Sequence, residues 1–92
     1  MELTQLRDKI DGIDRQLIAL FIERMSVSAQ VAEYKRQSKM PVLDAEREQK
    51  LLSKVAELSG EQFEEYTLKL YKTVLELSRS YQQELLGTEE SK

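Results

Sequence analysis

The 92-residue chain is predicted to fold as one all-α domain built from three helices. Apolar residues recur at helical spacing through most of the sequence, and Pro41 and Gly60 are the two points that divide this pattern. One proline and three glycines are too few for the many turns of an all-β domain. A chain of this length forms a single core, so residues 1–86 are assigned to the helical domain. Residues 87–92 are assigned to a polar tail that we expect to be disordered.

The first predicted helix is the longest, with about 33 residues from about Leu3 to Arg36. Along it, side chains that are almost all apolar alternate spacings of three and four, which is typical of a helix face that packs against another helix. This face is called the stripe, and it contains Leu3, Leu6, Ile10, Ile13, Leu17, Leu20, Arg24, Val27, Val31 and Tyr34.

A second helix is predicted from about Ala45 to Leu58, and a third from about Glu61 to Leu86. Asp44 is a candidate N-cap of the second helix, because a carboxylate can accept hydrogen bonds from the backbone amides of a first turn. Both helices carry an apolar face, so each is expected to pack against the rest of the domain.

The length of the first helix predicts a homodimer. Such a helix is about 50 Å long, whereas a compact chain of this size has a radius of gyration of about 12 Å. Because the stripe stays apolar to both ends, the part that projects beyond a monomeric core needs a partner, and a second copy would cover it. The alternative is a long helix covered by the other two helices of its own chain.

Arg24 stands on the stripe where an apolar residue is expected. Lys35 lies on the same face, about 16 Å further along, with Ser28 and Val31 between them. Two cations that face a gap in a core need anions. Carboxylates from the other helices could neutralise them, or the gap could hold an anionic ligand, and the pattern leaves both interpretations open.

Other polar candidates also have an ordinary alternative. Arg7, at the edge of the stripe, would usually be solvated, and it lies about 25 Å from Arg24 along a straight helix. In an antiparallel dimer, however, Arg7 of one chain could approach the Arg24 region of the other. The charged run at 44–48 is usually a solvated first turn. Ser78 and Gln82, spaced i and i+4, are either rim residues or ligand contacts, and the amide of Gln82 can donate at any pH.

The composition excludes several function classes. Without Cys or His the chain has no thiol nucleophile, no Ser-His triad and no histidine metal ligand, so neither a metal nor another cofactor is expected. A net charge of −3 argues against nucleic acid or an anionic membrane as the partner. The longest apolar run, Leu17 to Ile22, is too short to cross a bilayer, and in the absence of a signal peptide the expected location is the cytoplasm.

A set of strings, in this order and at matching separations, resembles the all-α chorismate mutase family, whose members are intertwined three-helix dimers. The resemblance covers about residues 3–86, nearly the whole chain. The strings are LRDKID at 6–11, LFIER at 20–24, AEYK at 32–35, PVLDAERE at 41–48 and SRSYQ at 78–82.

The resemblance implies a function, the Claisen rearrangement of chorismate to prephenate in the biosynthesis of phenylalanine and tyrosine. This unimolecular reaction needs no nucleophile, base, metal or cofactor, and the enzyme acts by holding the dianion in a compact conformer. The resemblance also implies a homodimer with sites shared across subunits. Arg24 and the partner's Arg7 would bind the two carboxylates of chorismate, and Ser78 would assist at one of them.

The remaining site residues come from the same resemblance. Lys35 and Gln82 would donate hydrogen bonds to the ether oxygen on which negative charge grows. Glu48 and the backbone near Asp44 would meet the ring hydroxyl. Arg47 would act in support, through Asp44 or a water.

Two other functions are compatible with this pattern. An isochorismate-pyruvate lyase would keep the fold and a similar cationic site, although the complete set of mutase-type residues favours the mutase. A non-catalytic helical dimerisation module would use Arg24 to set the register between helices. The sequence also leaves open whether the domain stands alone or is fused to a prephenate dehydratase, a prephenate dehydrogenase or an aldolase-type enzyme.

Overall fold

A computed structural model of the chain describes residues 2–90, with side chains for residues 2–87. It contains two α-helices, α1 at Leu3–Ser38 and α2 at Ala45–Glu90, joined by a connection at 39–44. The chain is elongated, with extents of 57 × 27 × 16 Å. Neither helix has, within the described residues, an apolar stretch long enough to cross a membrane. Because both described elements are α-helices, the predicted all-α class is confirmed.

The prediction of three helices is wrong, because the segments predicted as the second and third helices form one element. Helical structure continues through Gly60, which alone has non-helical dihedral angles, φ 74° and ψ 161°. Glycine adopts positive φ without the penalty that a Cβ would impose, so a single residue bends the path while helical turns continue on either side. We call residues 45–59 and 61–90 the first and second arms of α2.

The long first helix is confirmed, and its ends have identifiable local causes. At the start, the backbone N–H of Glu2 donates to Oε1 of Gln5 at 3.2 Å. At the end, Lys39 takes the left-handed conformation, φ 56°, and the N–H of Met40 donates to the carbonyl of Lys35 at 2.8 Å. Pro41 comes next and cannot continue the helix, so the chain turns back toward α2.

The core lies between the C-terminal half of α1 and both arms of α2. Its buried apolar residues are Ala32, Val55, Val74 and Leu75. Three polar residues are buried with them, namely Ser28, Ser78 and Gln82. Buried polar side chains need partners, so their position in so small a core marks the region of interest.

The N-terminal half of α1 is left largely uncovered by the other described residues of the chain. On the stripe, Ile10, Ile13 and Leu17 remain 54%, 60% and 53% exposed. The intertwined homodimer predicted from the sequence is not shown by this single chain. What the chain does show is that α2 leaves this part of the stripe uncovered, contrary to the alternative in which its own helices cover it.

The polar tail predicted at 87–92 is not tested. Helix α2 runs to Glu90, which lies inside that range, and residues 91–92 lie outside the described residues. Its disorder therefore stays a prediction.

Candidate functional site

A cavity of about 320 Å³ lies between the second half of α1, the connection and both arms of α2. We call it the cationic cavity. Its charged lining residues are Arg24, Lys35, Asp44, Arg47, Glu48 and Arg79, its uncharged polar ones are Ser28, Ser78 and Gln82, and its apolar ones are Val27, Val31, Val42, Leu51 and Leu75.

Every residue predicted for the site lines this cavity, except Arg7. These residues come from three separate stretches of the chain, and the fold brings them around one space of small-molecule size. Arg7 lies on the projecting half of α1, about 25 Å along the helix from Arg24. This chain's own Arg7 does not reach the cavity.

The charges that line the cavity do not cancel. Arg24, Lys35, Arg47 and Arg79 outnumber the carboxylates of Asp44 and Glu48 by two, so the cavity has a formal excess of two positive charges. Such an excess, in a space with apolar walls, favours a ligand that carries two negative charges.

Within the part of the chain that the structure describes, Arg24 and Arg47 have no anionic partner of their own. Among the side chains of residues 2–87, neither guanidinium makes a hydrogen bond or an ion pair. Of the two interpretations that the sequence left open for Arg24, neutralisation by carboxylates of α2 is therefore not the arrangement found. An unpaired guanidinium in a cavity retains its donors for a ligand.

Lys35 is held in place by the connection. Its Nζ donates to the carbonyl oxygen of Val42 at 2.6 Å, which ties the end of α1 to the chain just after Pro41. An ammonium group has three donors, so this bond leaves donors available to a ligand.

Asp44 caps the first arm of α2, as predicted. Its Oδ1 accepts from the backbone N–H of Arg47 at 3.0 Å, and its carbonyl oxygen accepts from the N–H of Glu48 at 3.0 Å. The cap fixes where the arm begins, and with it the positions at which Arg47 and Glu48 enter the cavity.

Arg79 is a site residue that sequence reasoning missed. Its Nη1 donates to Oε1 of Glu48 and forms an ion pair that joins the two arms of α2 across 31 positions of sequence. Both side chains are largely covered, at 31% and 21% exposure. One signal was available, because Arg79 lies three residues before Gln82 and therefore shares its helix face.

Ser28, Ser78 and Gln82 form a buried cluster between α1 and the second arm of α2. The two serine Oγ atoms are 2.6 Å apart, and Nε2 of Gln82 lies 2.8 Å from the Oγ of Ser28 and 3.4 Å from that of Ser78. Oε1 of Gln82 is buried and has no partner among the described residues. The sequence had indicated Ser28 only as a small residue between two cations.

A second cavity, of about 240 Å³, lies nearer the end of α2 and is lined in part by Glu33 and Arg36. These two already form an ion pair at 2.5 Å. The hydrogen bond from the Arg36 side chain lowers the pKa of the Glu33 carboxyl below its ordinary value. Because its charges are paired with each other, this cavity is less suited to a charged ligand than the cationic cavity.

Comparison with known proteins gives matches to one family over nearly the whole chain. The family model described as chorismate mutase type II matches residues 6–83. The chain is 31% identical to a chorismate mutase of Methanocaldococcus jannaschii over 93 aligned positions, covering 99% of this chain and 94% of that protein.

Longer proteins match as well. The identity is 36% to a bifunctional chorismate mutase/prephenate dehydratase of Enterobacter agglomerans and 35% to the protein of that description from Escherichia coli K12. Each alignment covers 91% of this chain but 22% of the relative, so the chain spans about a fifth of these two-function proteins.

Proposed function

The chain belongs to the chorismate mutase type II family and has that family's isomerase function in aromatic amino-acid biosynthesis, and we propose that the reaction takes place in the cationic cavity. The observation that carries this proposal is the pair of excess positive charges around a space of about 320 Å³. Chorismate is a dianion, so its charge matches that excess.

In the proposed mechanism the cavity acts by position and charge. The carbon–oxygen bond of the ether breaks as a carbon–carbon bond forms within the same molecule, so no group of the protein is consumed. The cavity holds the substrate in the compact conformer in which these atoms are close, which lowers the conformational part of the entropic barrier. Donors fixed beside the ether oxygen stabilise the negative charge that grows there in the transition state.

Arg24 is proposed to bind one carboxylate of chorismate. Its guanidinium has no competing anion among the described side chains, and its planar pair of N–H groups matches a carboxylate in two parallel hydrogen bonds. Ser78, whose side chain reaches the same cavity from the second arm of α2, is proposed to assist at a carboxylate.

Lys35 and Gln82 are proposed as the donors to the ether oxygen. Lys35 is held by Val42 with donors to spare, and Gln82 is buried on the second arm of α2 and lines the same cavity. Glu48 and the backbone at Asp44 are proposed to meet the ring hydroxyl, at the start of the first arm of α2.

Arg47 is proposed as a supporting residue. It lies in the first turn of α2, its backbone N–H bonds to Asp44, and its guanidinium has no anionic partner among the described side chains. From there it acts in support near the ring hydroxyl, through Asp44 or a water.

A homodimer is proposed to complete the site, with Arg7 of the second copy at the open side of the cavity. Two features support it, namely the exposed N-terminal half of the stripe and the distance between Arg7 and its own cavity. An antiparallel partner helix would cover the apolar residues and bring its Arg7 toward Arg24. The cytoplasm is the proposed location, since the activity of the family is biosynthetic.

The test is an ultraviolet assay of chorismate loss by wild type, Arg24→Ala and the control Lys69→Ala. Lys69 is a cation on the exposed face of α2, where it pairs with Glu65 outside the cavity. We expect kcat/KM to fall by about 100-fold or more in Arg24→Ala, because one fixed donor to a developing or bound anion is lost, and to stay unchanged in the control.

Two outcomes of this assay would contradict the proposal. An active Arg24→Ala variant would place the reaction elsewhere in the chain. Release of pyruvate from isochorismate, offered in parallel, with no turnover of chorismate would identify the lyase instead.

A further inference from the structure

We propose that Ser28 is a positioning residue, whose hydroxyl holds the amide of Gln82 with its nitrogen available to the substrate. This inference rests on the proposed function, in which Gln82 donates to the ether oxygen. It assigns a role to a residue of α1 that no sequence pattern singled out as functional.

The first observation is the geometry of the buried cluster. Ser28, Ser78 and Gln82 are 5%, 8% and 7% exposed, and the contacts of 2.6 and 2.8 Å join them in a chain of two hydrogen bonds. Ser28 is its middle member and the one contributed by α1. Gln82 therefore depends on α1 for its shortest side-chain contact.

The second observation is the unpartnered Oε1 of Gln82. Nε2 donates to Ser28, while Oε1 is buried with no hydrogen bond among the described residues. A buried acceptor without a donor is unfavourable by an amount comparable to a whole hydrogen bond. The amide nitrogen thus donates to the serines, and the amide oxygen accepts no hydrogen bond from the described residues.

Turning the amide over by 180° about its last torsion gives the oxygen a donor and leaves the nitrogen unpartnered in its place. The oxygen and nitrogen of a carboxamide have nearly the same size, so the turn exchanges them in the same space. Ser28 then donates its O–H to Oε1 across the 2.8 Å contact, and Ser78 donates its O–H to the Oγ of Ser28 across the 2.6 Å contact. Both hydroxyls are used, and Nε2 becomes the atom without a protein partner.

Gln82 lines the cationic cavity, so an unpartnered N–H group on its side chain suits an oxygen acceptor on the ligand. A bound ether oxygen would satisfy Nε2 and complete the hydrogen bonds of all three side chains. An ether oxygen can only accept, so the ligand selects this orientation, and Ser28 supports it because its hydroxyl can donate to Oε1.

The first part of the test compares Ser28→Ala with Ser26→Ala. Ser26 lies on the same helix, is exposed, and provides a matched substitution outside the cluster. We expect kcat for chorismate to fall about fivefold in Ser28→Ala with little change in KM, because one orienting hydrogen bond is lost and the carboxylate contacts stay. Ser26→Ala should match wild type in both constants.

The second part uses a carboxyl group in place of the amide, introduced by Gln82→Glu. That carboxyl must be protonated to donate to the ether oxygen, so activity is lost as the pH rises through its pKa. A hydroxyl that donates to the charged form lowers this pKa. Adding Ser28→Ala therefore raises the pKa and moves the loss of activity to higher pH, by about half a unit or more.

Other charges around the cavity affect both members of this comparison equally. They are Arg24 and Lys35 of α1, Asp44 of the connection, Arg47 and Glu48 of the first arm and Arg79 of the second. The difference between the two pH midpoints therefore reports on Ser28 alone. It also does not depend on how much of a variant is folded, because a midpoint is independent of the amount of active protein.

The outcomes separate the inference from the function on which it rests. A wild type that leaves chorismate unchanged would overturn both. An active wild type with equal kcat in Ser28→Ala, or identical pH midpoints with and without the hydroxyl, would overturn the role of Ser28 and leave the mutase function in place.

Discussion

Gln82 is proposed to donate, with Lys35, to the ether oxygen of chorismate, and the type of side chain at this position determines how activity depends on pH. An amide carries no titratable proton, so this group should cause no loss of kcat/KM on the alkaline side. Gln82→Glu should be active in acid and lose activity as pH rises, because the neutral carboxyl donates whereas the carboxylate repels the charge growing on the ether oxygen. The pH profiles of kcat/KM for the two proteins check this, and equal profiles would refute the donor role.

The ion pair between Arg79 and Glu48 leads to a second prediction about a single residue, which concerns the binding of chorismate. Arg79→Gln leaves Glu48 unpaired and reduces the formal excess of positive charge in the cavity from two to one. We expect KM for chorismate to rise about tenfold, since a charge-assisted hydrogen bond is lost and an uncompensated carboxylate then faces a dianion.

The control for Arg79→Gln is Lys50→Gln, which breaks the exposed pair with Glu46 on the same helix. Its KM should match wild type, because an exposed ion pair at this spacing contributes little. If both variants bound chorismate as well as wild type does, Arg79 would have no part in the site.

The local residues of the site could be predicted from the sequence, and the long-range ones could not. Arg24 stood out because it breaks an apolar pattern, and Asp44 because it precedes a helix. The pair of Arg79 with Glu48 joins positions far apart in the chain, and no periodicity encodes such a contact. The role of Ser28 depends in the same way on Gln82, which another helix brings against it.

At the scale of the helices, Gly60 and Gly12 should respond in opposite directions to alanine. A Cβ at either position meets no atom within 4 Å, so only the backbone matters. Gly60 has φ 74° and ψ 161°, a combination that essentially only glycine adopts, and Gly60→Ala should lower the free energy of unfolding by about 1–3 kcal/mol. Gly12 lies inside α1, and Gly12→Ala should raise the free energy of unfolding by about 1 kcal/mol.

Urea unfolding followed by circular dichroism measures both changes. Each variant serves as the control for the other, because the two substitutions add the same methyl group. A loss of stability of similar size in both would contradict the strained backbone at Gly60 as the cause.

The two interruptions in the sequence differ in their physical effect, which explains why one was interpreted correctly and the other was not. Pro41 has no N–H group and restricts the residue before it, so a connection between helices is required there. Gly60 only permits a positive φ, and whether it ends a helix depends on the conformation of the residues after it. Here residues 61–90 resume helical structure at once, so the glycine produces a bend rather than a connection.

At the scale of the whole molecule, the chain is more extended than a compact globule. Its radius of gyration is 16.6 Å, against about 12 Å for a compact chain of this length. The larger radius of gyration comes from the half of α1 that leaves its apolar stripe exposed. A second copy is the partner proposed for that surface, and the cavity would gain Arg7 from it.

Mixing two inactive variants tests the shared cationic site most directly. Arg7→Ala labelled with nitrogen-15 and unlabelled Arg24→Ala are unfolded together and refolded at equal amounts, and native mass spectrometry identifies the mixed dimers by their intermediate mass. If each site combines Arg24 of one chain with Arg7 of the other, half of the dimers regain one intact site of two. Chorismate turnover should then recover to about a quarter of wild type. A mixture no more active than either variant alone, despite mixed dimers, would contradict the account.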